Sequence, residues 1–260
     1  MSDAPRIWLH HDQASLDAAY DQRAWCPEIA DWLARYKADT AAARAALRPE
    51  VLSYGPHAYD FYHARGPRRG LHIHIHGGAW RAQSRDDSGF MAPALTAAGF
   101  DVAVPDFSLL PARRLPEVVE ELRGLVARLG ADGPLHLSGH SSGAHLAAVL
   151  ATEFRFASVA LVSGIYDLRP VLLSARREYV RLMPGEAETL SPVRHAAQIA
   201  SPLLIAWGTA ESPEFIRQGE EMAAATGAPR FVLEGVNHFA AAYALAAGPV
   251  HESLLRLATM

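Results

Sequence analysis

Gly139-His140-Ser141-Ser142-Gly143 constrains this chain more than any other stretch of it. The five residues fit G-x-S-x-G, with the apolar run 135–138 before them and the helix-forming stretch 144–153 after them. A serine held on a tight strand-to-helix turn projects its hydroxyl above the strand ends. Flanking glycines remove the side chains that would clash there. The helix that follows brings the positive end of its dipole to the turn, where an oxyanion would develop. A Gly/Ser-rich turn without chemistry would satisfy the same five letters, so the surroundings have to decide. Ser142 is the rival nucleophile, but the glycine spacing selects Ser141.

The surroundings have the required form. From about residue 51, short apolar runs alternate with helical patterns. Residues 52–54 and 59–63 read as a hairpin about Gly55-Pro56. Strand-like runs follow at 71–75, 102–105, 135–138, 159–163, 203–207 and 231–233. Helical patterns lie near 88–98, 116–129, 142–153, 213–226 and 240–257. This alternation predicts an α/β fold with a mainly parallel sheet, helices on both faces and right-handed crossovers. Residues 168–198 hold no strand between two strands that should be sequential, which predicts a small lid above the sheet. Residues 15–47 read as helical with a break near Pro27, placing Trp32, Leu33 and Tyr36 on one helix face; Pro49 ends that arm. The chain 1–260 thus reads as one domain with a helical arm over 1–48.

Half of the 260 residues are hydrophobic, enough for one sizeable core. A net charge of −4, from 24 basic and 28 acidic side chains, gives no electrostatic reason to expect nucleic acid or an anionic membrane. Cys26 is the one cysteine, so no intrachain disulfide forms. No apolar run approaches the roughly 18 residues of a membrane span, and the first residues carry charge where a signal peptide is apolar. Together these predict a cytoplasmic protein acting on a small molecule, with no cofactor, and leave room for a homodimer.

Three further pieces complete a nucleophilic site. His76-Gly77-Gly78-Ala79-Trp80 follows the run 71–75, where a loop donates a second backbone N–H to an oxyanion. The hole is therefore assigned to the N–H of Ser142 with Gly78 and Ala79, either of which could dominate. His238 follows the run 231–233 and precedes the last helix, the place of the general base; His195 and His251 fail one condition each. Glu211 follows the run 203–207 and is the expected acid, although it also resembles a helix start. Asp167, after 159–163, competes with it. His72, His74 and His76 point to one strand face, but no companion metal-ligand spacing follows. Polar residues on a partly covered strand face are the better reading of His72 and His74, and the HGG loop accounts for His76.

The segments HGGAWR (76–81), GHSSGAHLA (139–147), SGIYDLRP (163–170), GTAESPEFIRQ (208–218) and NHF (237–239) resemble the kynurenine formamidases, or arylformamidases, of the α/β-hydrolase fold. YDQRAW (20–25) and SYGP (53–56) are similar too, so the likeness covers nearly the whole chain. HGG and GHSSG are shared with hormone-sensitive-lipase-type esterases, while SGIYDLRP and ESPEF are more specific. The family carries its acid, Asp or Glu, where Glu211 stands here. Two stretches depart from it: AAAYALA after NHF lacks the family's acidic residues, and 172–188 has diverged. The resemblance implies hydrolysis of N-formyl-L-kynurenine, or a similar aryl formamide, through a formyl-enzyme. A general carboxylesterase is the alternative, and a non-catalytic binding protein on the same scaffold is a remoter one. Trp80, Tyr166 and Phe239 are expected near the strand ends as contacts for the aromatic amine, with core packing as the equal alternative for each.

Overall fold

A computed structural model describes residues 5–130 and 133–258. The first four residues of the arm expected over 1–48 lie outside them. Among the described residues eight strands form one sheet: β1 (Glu50–Tyr54), β2 (His57–Tyr62), β3 (Gly70–Ile75), β4 (Phe100–Pro105), β5 (Leu135–His140), β6 (Ser158–Val162), β7 (Leu203–Gly208) and β8 (Arg230–Leu233). Their spatial order is β1-β2-β4-β3-β5-β6-β7-β8. β1, β2 and β4 pair antiparallel; β4-β3-β5-β6-β7-β8 is parallel throughout. This is the mainly parallel, helix-covered sheet that the alternation of runs predicts, in the α/β-hydrolase form that the resemblance implies.

The apolar character of the strands follows from their cover. Every residue of β3 through β7 is buried, as parallel strands with helices on both faces require. Alternation within a strand then divides the core in two. Val159, Leu161, Leu203, Ile205 and Trp207 pack on one face of the sheet; Ala160, Val162, Leu204 and Ala206 pack on the other. Helix α4 (Leu115–Leu129) covers the first face with Leu115, Val118, Val119, Leu122, Leu125 and Val126, a helical stripe of the usual spacing. Helix α5 (Ser142–Glu153) is buried from Ser142 to Ala151, so it carries no polar face.

The arm forms α1 (Gln13–Tyr20), a 3-10 turn over Gln22–Ala24 and α2 (Ile29–Leu47). Tyr36 is buried on α2, but Leu33 is exposed, so the expected common face with Trp32 is only partly covered. Helix α3 (Ala92–Ala97) is shorter than the pattern 88–98 implies, because residues 88–91 are bend, loop and turn and the helix starts only after Met91, with Pro93 in its first turn. Residues 168–198 contain α6 (Arg169–Leu173), α7 (Glu186–Thr189) and two 3-10 turns, and no strand. Helix α8 (Pro213–Thr226) starts on the Ser212 cap. The helix expected over 240–257 is broken: residues Ala240–Leu245 are 3-10, and α9 starts anew at Gly248–Leu257. Gly248 with φ 75° and Pro249 at the new helix start interrupt the hydrogen-bond ladder. Among the described residues no helix is long and apolar enough to cross a membrane.

Candidate active site

Ser141 links the end of β5 to the start of α5 with φ 56° and ψ −123°. A non-glycine residue in that region is strained, by about 1–3 kcal/mol, and the surroundings hold it there. The Ser141 N–H donates to Val162 O at 2.9 Å, and His145 N–H donates back to Ser141 O at 3.2 Å. A Cβ on Gly143 would run into the carbonyl oxygens of Ile75 and His76, and one on Gly139 into the Gly143 carbonyl. Gly143 is therefore forced by the close crossing of the turn over the end of β3, and Gly139 by the tightness of the turn itself.

His238 lies on the loop after β8. The Ser141 hydroxyl donates to its Nε2 at 2.9 Å, and its Nδ1–H donates to Glu211 Oε2 at 2.7 Å. A carboxylate oxygen only accepts, so Nδ1 carries the ring proton and the Nε2 lone pair faces the serine. The second carboxylate oxygen of Glu211 accepts from Gly208 N–H at 2.7 Å and from the Ser163 hydroxyl at 2.6 Å. Ser141, His238 and Glu211 are all nearly shut off from solvent. His140 donates Nε2–H to the His238 carbonyl at 2.8 Å, and the Phe215 ring stands edge-on to the imidazole at 4.7 Å. Burial holds the His140 imidazole well below the usual histidine range, so it stays neutral beside His238.

Asp167 is buried elsewhere. Its carboxylate pairs with the Arg169 guanidinium at 2.5–3.0 Å. Glu211, just ahead of the α8 cap, is the carboxylate on His238.

The loop after β3 passes beside the serine through three successive left-handed residues, Gly78 (φ 94°), Ala79 (φ 55°) and Trp80 (φ 60°). Trp80 N–H is taken by the Ser142 hydroxyl at 3.0 Å, which ties the loop to the first residue of α5. Among the described residues the N–H groups of Gly78, Ala79 and Ser142 donate to no turn or cap carbonyl. Gly78 and Ala79 line the same cavity as Ser141 and His238.

Of the three aromatic residues expected beside the substrate, Phe239 lines that cavity. Trp80 and Tyr166 do not. Trp80 is fully buried and donates its indole N–H to His145 Nδ1 at 3.2 Å, while Tyr166 packs in the core against Gly164. Large rings so close to the sheet take the cover of the core before that of a cleft. His72 and His74 share the Ser138 hydroxyl at 2.7 and 2.9 Å and are wholly buried, not partly covered. Burial pushes His74 down to about 3 and His72 well below its usual value. His76 stacks on Phe107 with centroids 4.1 Å apart. Among the described residues no group of three His, Cys, Asp or Glu is disposed to hold a metal ion.

The cavity measures about 520 Å³. Its walls come from the arm at residues 20–23, the loop 78–83 and residues 175–179, with Ser141 and His238 among the residues that line it. The arm is anchored firmly: Tyr20 accepts from Gln218 at 2.9 Å, and Asn237, next to His238, donates to Glu28 at 3.0 Å. Sequence reasoning does not reach Ser163 behind Glu211, the Ser142–Trp80 tie, or Gln22 and Arg176 on the cavity wall. Ser163 and Gln22 stand inside SGIYDLRP and YDQRAW, so those segments carry the signal; nothing local in the sequence marks Arg176.

The chain is similar to several known proteins. The BD-FAE family model matches residues 60–160. A kynurenine formamidase of Danio rerio is 31% identical over 243 residues, covering 82% of this chain and 83% of the relative. One of Salmo salar is 32% identical over 213 residues, covering 73% and 72%. Among solved structures, a proposed thioesterase from a Silicibacter species superposes with a TM-score of 0.84 at 28% identity, covering 94% of this chain and 99% of the other. An esterase of Pyrobaculum calidifontis superposes with a TM-score of 0.65 at 19% identity, covering 87% and 90%, and shares the fold.

Proposed function

The chain belongs to the kynurenine formamidase family, as an α/β-hydrolase enzyme of the formamidase or esterase kind, and on that footing we propose that it cleaves an aryl formamide. N-formyl-L-kynurenine is the first candidate, with L-kynurenine and formate as products. The observation that carries the proposal is the unbroken hydrogen-bond chain from Ser141 through His238 to Glu211 beside a cavity of about 520 Å³.

In the proposed reaction Ser141 Oγ attacks the formyl carbon while His238 Nε2 takes its proton. The carbonyl oxygen becomes an oxyanion held by the N–H groups of Gly78, Ala79 and Ser142. Trp80 N–H is already bonded to Ser142, so on this loop Gly78 and Ala79, which line the cavity, are the donors assigned to the oxyanion. The imidazolium, stabilised by Glu211, protonates the nitrogen as the C–N bond breaks, and the aryl amine leaves. Water then attacks the formyl ester, His238 takes its proton and returns it to Ser141, and formate departs. Phe239 packs against the aromatic amine. Residues 168–198 and the arm close the site from above as a lid. We place the reaction in the cytoplasm, since the one cysteine, Cys26, is buried and the chain leans on no disulfide.

An esterase would use the same machinery, so the substrate decides between the two. N-formylkynurenine is expected to show a kcat/KM at least about tenfold above p-nitrophenyl acetate, a difference of about 1.4 kcal/mol in transition-state binding. Steady-state kinetics on both substrates measures this. Fast hydrolysis of p-nitrophenyl butyrate without deformylation would leave an esterase.

A further inference from the structure

Two polar side chains on the cavity wall have bonding capacity that the protein leaves unused. Gln22, on the 3-10 turn after α1, is 8% exposed, and among the described residues neither its Oε1 nor its Nε2 has a partner. Arg176, on the segment after β6, donates Nη2–H to the Tyr20 carbonyl at 2.7 Å and lies over the Tyr20 ring at 5.1 Å. Its Nη1 is buried and has no partner among the described residues. Both residues line the cavity that holds Ser141 and His238. A buried amide and a buried guanidinium nitrogen are costly to leave unpaired, and proteins retain such groups where a ligand completes them.

The charges on the wall favour one kind of ligand. Arg23, Arg81 and Arg176 line the cavity together with Asp21 and Glu178. Arg23 and Asp21 neutralise each other through bonds of 2.7–3.2 Å. Arg81 rests on the Tyr179 ring at 4.7 Å, and neither it nor Arg176 has a carboxylate within ion-pair reach among the described residues. The wall therefore carries surplus positive charge, with a planar donor group pinned in place by Tyr20. Guanidinium geometry suits a carboxylate, and the Gln22 amide offers an acceptor and a donor for a neighbouring N–H and oxygen.

We infer that Arg176 and Gln22 form a specificity subsite for a carboxylate, with an adjacent N–H donor, carried on the leaving amine. This rests on the formamidase reading for the bond that is cut, but not for the recognition. Arg176 binds the carboxylate through Nη1, and Gln22 bridges the carboxylate and the N–H group. The subsite fixes the far end of the leaving group while Ser141 works on the formyl end, so its loss falls on KM before kcat.

The test compares two formamides that differ only at that end: N-formylkynurenine and 2-formamidoacetophenone, which lacks the amino-acid tail. The ratio of their kcat/KM values is expected to fall about 10- to 100-fold in Arg176→Met, as for loss of a charged hydrogen bond. Most of the fall should appear in KM. Gln22→Leu should lower the ratio less, and Arg176→Lys should restore part of it. Equal losses on both substrates would show that Arg176 only pins the segment to Tyr20, and would overturn the inference; an unchanged ratio would do the same. If the wild type cleaves neither formamide but cleaves esters, the formamidase reading falls and the subsite is read from 4-acetoxybenzoate against phenyl acetate. The same collapse of preference is then expected, and an equal loss again overturns it. Should Arg176→Met fail to fold, the substrate ratios of Gln22→Leu and Arg176→Lys decide the question by the same criterion.

Discussion

Glu211 is held by three groups at once: His238 Nδ1–H on one oxygen, Gly208 N–H and the Ser163 hydroxyl on the other. A carboxylate so fixed sets the tautomer of the imidazole and stabilises its charged form. Glu211→Gln offers an amide that can present N–H to Nδ1 and so favour the wrong tautomer. It is expected to lower kcat by roughly 10²- to 10⁴-fold with little change in KM. Asp167→Asn should cost far less, because Asp167 pairs with Arg169. Kinetics of the two variants checks this, and a reversed order would return the acid to the strand of Asp167. At this scale the sequence is legible where chemistry forces both residue type and order along the chain, as for Ser141, His238 and Glu211. It is not legible for Ser163 or Arg176, whose roles arise from side chains meeting across the fold.

The strands and most helices are legible because their periodicity reports burial directly. β6 and β7 are covered on both faces and read as near-continuous apolar runs, β3 and β5 are equally buried but interleave leucine and isoleucine with histidine and serine, and the stripe on α4 has helical spacing. The last helix departs from its pattern because an alanine-rich stretch has helical propensity throughout, yet Gly248-Pro249 breaks it. Trp80 and Tyr166 take the core-packing alternative for a related reason. Position near the strand ends suggests the cleft, but Trp80 serves as a strut. Its N–H reaches Ser142, its indole reaches His145, and His145 Nε2–H donates to Leu190 O at 2.8 Å. One buried chain thus ties the loop beside Ser141 to helix α5 and to the segment after β6. An indole nitrogen only donates, so His145 must accept at Nδ1 and stay neutral there, in keeping with the burial that pushes it down to about 4.

Over the whole molecule the buried histidines make an acid-sensitive core. Burial lowers His72, His74, His76, His136, His140 and His145, with His74 at about 3 and His136 and His145 at about 4. In the unfolded chain each titrates near 6.5. The folded state therefore binds fewer protons below that value. The stability these neutral rings contribute is complete above about pH 6.5. It is lost as pH falls toward 4, at about 1.4 kcal/mol per pH unit for each proton taken up on unfolding. The melting temperature should accordingly drop between pH 6.5 and 4.5, with uptake of at least about three protons on unfolding. A flat profile across that range in scanning calorimetry would contradict the neutral histidine core.

The proposed chemistry turns on Ser141 as the group that takes the formyl carbon. Its most direct test is the rate of N-formylkynurenine hydrolysis by Ser141→Ala beside the wild type, with the melting temperature of both recorded. A loss of about 10⁴- to 10⁶-fold in kcat with the fold intact is expected. A variant that still deformylates within about tenfold of the wild type would show that the nucleophile lies elsewhere.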